Sequence, residues 1–231
     1  NLEQLETVVD RALTVAMSEP RGPVYLTLPR EILAEVPGDF TFDSPAVRNA
    51  SRAGVPNPNA IDQAADMLSK AKNPLIISSS FGQHPGDIAA LEDLAERFAI
   101  PVVCYRPRYV NLPTSHSMHV GFEPAERLGN ADVILTLESD TPWIPSLHKV
   151  SPEAKVIQAG VDPLFANYPI RGFQSDLTLS GDPSATLRAL SMAMIEDTSR
   201  IGSTRKEVSA KKAELAEAHK ALIERQSVGG P

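Results

Sequence analysis

Four short apolar runs each lead into polar residues that could do chemistry. Ser78, Ser79 and Gly82 stand at and beyond the end of residues 74–79, Tyr105 and Arg106 follow residues 100–104, Glu138 and Asp140 follow residues 132–137, and Asp162 follows residues 155–159. If the runs are neighbouring strands of a parallel sheet, their carboxyl ends open on a common crevice, which is where such sheets bind ligands. An acidic side chain there can hold a ribose diol, which makes Glu138 and Asp162 the sharpest candidates. The competing use of the same carboxylates is to cap turns in their own loops.

Other reactive types are sparse. His116 and His119 have the three-residue spacing that can put two imidazoles on one helical face, but no cysteine or third histidine lies nearby to complete a zinc set. His84, between Gln83 and Pro85, has no serine or cysteine nucleophile around it and reads as a loop or helix-start residue. Trp143, between Pro142 and Pro145, reads as a packing aromatic, and Arg171 as a loop residue able to meet a phosphate. Cys104 is the single cysteine and sits in an apolar run, so it reads as a buried structural thiol. With one cysteine no intrachain disulfide forms, which points to a reducing, cytoplasmic setting.

The elements that would position these residues follow from periodicity. Over residues 2–17, Leu2, Leu5, Val8, Val9, Ala12, Leu13 and Ala16 recur at helical spacing, and Pro20 and Gly22 end the helix. Residues 23–28 (PVYLTL) predict a strand, and residues 29–34 a short helix. Residues 35–57 carry Pro37, Gly38, Pro45, Gly54 and Pro56 without a period, the composition of an interdomain linker. A helix then starts at Pro58 with Ile61, Ala64, Ala65, Leu68 and Ala71 on its buried face. Strands are predicted at residues 74–79, 100–104, 132–137, 155–159 and 176–179, and helices at 85–98, 123–130 and 183–196, the last capped by Asp182. Alternating apolar strands and helices define an α/β, doubly wound, mainly parallel, Rossmann-like sheet. The tail over residues 203–226 predicts a helix lying on a neighbouring surface; Val208, Leu215 and Leu222, seven apart, make too thin a seam for a coiled coil.

Bulk properties exclude several classes. With 42% hydrophobic and 22% charged residues over 231, the chain can bury a sizeable core. A net charge of -7 with scattered Lys and Arg argues against a nucleic-acid partner, and no run of about 18 apolar residues predicts membrane insertion. The first residue, Asn1, and the final Gly229-Gly230-Pro231 suggest a segment of a longer polypeptide.

The segment Arg21-Gly22-Pro23-Val24-Tyr25-Leu26-Thr27-Leu28-Pro29 resembles the closing strand of the pyrimidine-binding domain in thiamine-diphosphate enzymes such as acetolactate synthase, benzaldehyde lyase and benzoylformate decarboxylase. Downstream, Ala71-Lys72-Asn73-Pro74-Leu75-Ile76-Ile77, Leu94-Ala95 through Pro101-Val102, and Gly129-Asn130-Ala131-Asp132-Val133-Ile134-Leu135 are similar in order and spacing to the central domain of that family. The resemblance spans nearly the whole chain. It implies that residues 1–34 end a pyrimidine-binding domain, 35–57 link, 58–196 form the central Rossmann-like domain, and 197–231 lead by a helix toward a diphosphate-binding domain.

What the resemblance implies for function is a parent carboligase or decarboxylase acting on a small 2-oxo acid, assembled as a homo-oligomer, dimer or tetramer, with thiamine diphosphate and Mg2+. The family glutamate that activates the cofactor would precede Asn1, and the metal-binding Gly-Asp-Gly…Asn motif would follow Pro231. Gly38-Asp39-Phe40, Gly86-Asp87-Ile88 and Gly181-Asp182-Pro183 all lack the second glycine. No catalytic residue and no metal ligand is therefore assigned within the chain. Flavin-containing members carry glycines after the first central strand and an arginine loop after the third. This sequence has Ser78-Ser79-Ser80-Phe81-Gly82 and Glu138-Ser139-Asp140-Thr141-Pro142-Trp143 instead, which weighs against FAD or ADP in the crevice. A stand-alone nucleotide-binding module and a purely structural oligomerisation domain are the alternative readings.

Overall fold

The computed structural model describes residues 4–36, 38, 50–196 and 201–228. The expected helix start at Leu2, most of the expected linker and residues 229–231 lie outside them. The chain divides into two compact units, residues 1–53 and 54–231.

The first unit holds α1 (Leu5–Met17) and α2 (Arg30–Leu33). The expected strand over residues 23–28 is not one: residues 21–29 carry no strand pairing. A strand exists through ladder bonds to a neighbour, and the described residues of this unit include no second strand. Tyr25 is accordingly 92% exposed and Val24, Leu26 and Leu28 about 40%. α1 has the apolar positions its periodicity predicts, yet buries none of them.

The second unit is a five-stranded sheet, all parallel, in the order β2-β1-β3-β4-β5, with β1 (Pro74–Ser78), β2 (Val102–Cys104), β3 (Val133–Leu137), β4 (Lys155–Gly160) and β5 (Leu177–Ser180). β2 begins two residues later than its apolar run, after Pro101, which has no N–H to give to a ladder. α3 (Pro58–Lys70), α4 (Pro85–Phe98) and α6 (Pro183–Glu196) join one core with Ile76, Leu135, Ile157 and Leu179 of the strands. The alternate strand residues Leu75, Ile77, Val103, Ile134 and Val156 form a second core with Leu128 of α5 (Ala125–Leu128), Tyr105 and Trp143. One residue in two thus enters each core, the period of a strand buried on both faces.

Caps set where the helices start. Asn57 accepts from the Asn59 N–H at 2.9 Å ahead of Pro58, and Asp182 accepts from the Ala185 N–H at 2.7 Å ahead of Pro183. Asp87 accepts from the His84 N–H at 2.8 Å, which places His84 at the entry of α4, and its other oxygen takes the Ser184 hydroxyl of α6. α7 (Ile201–Val228) runs past both ends of its expected span and lies on the second unit itself. Leu215 is buried in the first core, Val208 packs against it, and Leu222 approaches Gly121. Among the described residues no helix is long and apolar enough to cross a membrane.

Candidate functional site

The sheet order reverses between β1 and β3, each of which has its chain-order neighbour on its outer side. In open parallel sheets that switch point is where a crevice forms beyond the carboxyl ends of the strands. Here the switch point falls between residues 79–82 after β1 and residues 138–140 after β3, and the Ser80 N–H donates across it to the Glu138 carbonyl at 2.9 Å. Arg106 and Glu138 both have φ of 47°, a left-handed backbone that bulky residues hold only when their surroundings enforce it.

Most of the polar groups predicted for this crevice are bonded within it. Ser79 Oγ donates to the Tyr105 carbonyl at 2.8 Å and lies 2.7 Å from Ser139 Oγ, tying the loops after β1, β2 and β3 together. Ser78 is fully buried inside the end of β1, its hydroxyl without a partner. Tyr105 is buried edge-on to His148, and the Arg106 guanidinium stands over its ring at 5.3 Å. Glu138 turns its carboxylate onto the Val161 N–H at 2.6 Å, over Gly160. Asp140 accepts from Arg108 at 3.1 Å, from the Tyr168 hydroxyl at 3.2 Å and from the Thr141 N–H at 2.8 Å. Asp162 accepts from the Ala166 N–H at 2.9 Å in its own loop. The structure brings Ser79, Tyr105 and Ser139 into contact and gathers arginines around Asp140, whereas Glu138 bonds across to the backbone after β4 and Asp162 caps its own turn.

Two residues that sequence reasoning gave no crevice role organise these loops. Arg171 donates through Nε to the Asp140 carbonyl and through Nη2 to the Ser139 carbonyl, both at 3.2 Å, with Phe165 and Phe173 on its faces at 4.9 and 5.2 Å. Burial pulls its pKa below the usual arginine value, opposed by Asp140 and Asp162. Asn111, fully buried, donates its side-chain amide to the carbonyls of Ser79, Phe81 and Tyr109. Arg171 was marked only as a loop residue able to meet a phosphate, and the only signal for Asn111 is a polar residue between Val110 and Leu112.

The remaining candidates are structural in their contacts. Burial pushes the Cys104 thiol up to about 11, leaving it protonated and a poor nucleophile. Trp143 packs edge-on against Phe173. Among the described residues no group of three His, Cys, Asp or Glu side chains could hold a metal ion. Two open hollows lie elsewhere, one of about 580 Å³ beside Trp143 and His148 and one of about 290 Å³ beside Asn73, Arg127 and Lys211.

A doubly wound parallel sheet with its crevice at the β1/β3 switch point defines a Rossmann-like α/β domain of the kind that serves many enzymes. The family described as "thiamine pyrophosphate enzyme, central domain" matches residues 61–190, more than half of the chain, and the chain belongs to that family. Across 99% of its length it is 28% identical to the probable 2-ketoarginine decarboxylase of Pseudomonas aeruginosa, and across 81% it is 25% identical to the large subunit of acetolactate synthase isozyme 3 of Escherichia coli. The chain spans 42% and 34% of those two proteins. The crystal structure of benzoylformate decarboxylase from Polynucleobacter necessarius has the same fold, with a TM-score of 0.62 at 21% identity over 83% of this chain and 36% of that one.

Proposed function

We propose that this chain is the scaffold portion of a thiamine-diphosphate-dependent carboligase or decarboxylase acting on a small 2-oxo acid, a homo-oligomer whose catalytic groups lie in domains beyond it. The observation that carries the reading is the first unit. An amphipathic helix that buries nothing, followed by residues 21–29 without a strand partner and with Tyr25 92% exposed, supports reading this unit as part of a sheet-bearing domain. Exposed apolar stretches of this kind mark interfaces.

The residues present do not suit thiamine diphosphate with Mg2+. A diphosphate-bound divalent cation wants two or more free oxygen ligands, whereas Asp140 is paired with Arg108, and Glu138 and Asp162 each accept a backbone N–H. No step of the chemistry is therefore placed on this chain. Supplied with thiamine diphosphate, Mg2+ and pyruvate, the 231-residue chain is expected to show no carbon dioxide release above the buffer control. Turnover from the chain alone would overturn the reading.

A second reading, an adenine nucleotide such as ADP or FAD in the β1/β3 crevice, is favoured by the arginines around Asp140. A phosphate would take Arg108 from that carboxylate, and charge-assisted bonds to arginine are the strong ones. ADP at a hundredfold excess over its dissociation constant would stabilise the chain by about 2.7 kcal/mol. The expected result is a rise in unfolding temperature with ADP or FAD that Arg108→Ala removes; no rise with either ends this reading.

A further inference from the structure

α7 meets the rest of the second unit at a pair of histidines. His119 is 1% exposed, in the loop that leads to Gly121, and His219 is 6% exposed on α7. His219 Nδ1 lies 2.9 Å from the His119 carbonyl oxygen, which can only accept, so Nδ1 carries the hydrogen and Nε2 is bare. His119 Nδ1 accepts from the Gly121 N–H at 3.3 Å, so the neutral ring carries its hydrogen on Nε2. Both Nε2 atoms are buried without a hydrogen-bond partner.

We propose that His119 and His219 form an acid-released latch, which holds α7 on the second unit and frees the helix when the His119 imidazole is protonated. A proton added to His119 must go on Nδ1, where it faces the Gly121 N–H, donor against donor. That places a buried positive charge without a partner, which the closed arrangement cannot accommodate and water can.

Among the described residues, the charges that act on His119 come from the histidines His219 and His116 and not from an acid. On the loop itself, His116 accepts from the Met118 N–H at 3.2 Å, and Glu123 pairs with His148 at 3.7 Å. β2 brings only Cys104, a neutral thiol. Along α7, Lys212 pairs with Glu96 of α4 at 3.8 Å, Arg225 with Glu126 of α5 at 4.0 Å, and Lys220 with Glu217 at 2.7 Å. Lys211 donates to the Lys72 carbonyl at 2.6 Å.

Burial, reinforced by the neighbouring His219, pulls the His119 pKa below the ordinary imidazole value. The docked state therefore binds fewer protons than the released state. Docking is at full strength above about pH 6.5 and weakens as pH falls below it, about tenfold per unit of pKa separation. Release uncovers Leu215 and the seam it shares with Val208 and Leu222.

Amide hydrogen exchange on the full chain tests the latch. Corrected for intrinsic rates, residues 207–225 are expected to exchange at least about tenfold faster at pH 5 than at pH 7.5, with α3 and α4 unchanged. His119→Phe should lose most of that acid response, and His219→Phe should loosen α7 at both pH values. Histidine NMR on the unmodified chain should place the His119 midpoint below that of free imidazole, a readout that holds even if a variant fails to fold. Equal protection of α7 at the two pH values, an undiminished response in His119→Phe, or a His119 midpoint at the free value would each overturn the proposal.

Discussion

Gly82→Ala is expected to destabilise the second unit by about 2–4 kcal/mol, through backbone strain and a steric clash acting together. Gly82 has φ of 95°, a conformation open to glycine and strained for any residue with a Cβ. An added Cβ would stand 2.2 Å from the Val110 carbonyl oxygen and 3.0 Å from its carbon, both backbone atoms that cannot swing aside. The segment that would have to move is pinned. Asn111, next in the chain, bonds three carbonyls, and the Arg108 N–H donates to the Ser79 carbonyl at 2.9 Å. Urea denaturation should show a lower midpoint, and the Ser79–Tyr105 contact should loosen with it. A midpoint within about 0.5 kcal/mol of the parent, the range of a neutral surface change, would show that the loop adapts.

That glycine illustrates what the sequence discloses and what it withholds. A lone glycine after an apolar strand reads as room for a ligand, because glycines after such strands let a pyrophosphate approach. The φ and the nearness of Val110 show a second demand of equal force, from the protein's own loop. Spacing cannot separate the two, since both ask for a missing Cβ. The acids behave in the same way: Glu138 and Asp162 stand where a ribose would be held, and each caps a backbone N–H. Position along the chain was legible; the partner was not.

The elements were more legible than the site because their signals are repeated many times over. Of the stripe Ile61, Ala64, Ala65, Leu68 and Ala71 that predicted α3, the first four are buried, while Ala71 is the C-cap and partly buried. Residues 23–28 carried an equally good strand pattern and formed no strand. Helices satisfy their backbone locally, whereas a strand's hydrogen bonds depend on chain elsewhere. The two faces of the sheet were also indistinguishable in sequence. The row Ile77, Thr136, Gln158, Thr178 crosses neighbouring strands and turns polar toward β5. There a loop, not a helix, supplies the Gln174 carbonyl, which accepts from Gln158 Nε2 at 2.7 Å, while Gln158 Oε1 is buried without a partner.

The opposite row is apolar throughout, with Leu135 at its centre. Val102, Ile76, Leu135, Ile157 and Leu177 are registered side by side across β2, β1, β3, β4 and β5, all in the core closed by α3, α4 and α6. Leu135 is fully buried with a strand on either side, so nothing next to it can collapse into a void without breaking register. Leu135→Ala should therefore fall in the upper part of the range of about 2–5 kcal/mol seen for such truncations. Leu177, partly exposed at the sheet edge, can be rehydrated, and Leu177→Ala should cost less than half as much. Leu135→Met keeps the volume and should cost under about 1.5 kcal/mol. The two terms act in the same direction, because Leu135 loses more buried apolar area than the partly exposed Leu177 and also leaves the larger cavity. Equal destabilisation of the two alanine variants in guanidinium melts would mean that the rows do not pack as a single layer and that the domain relaxes around a missing side chain.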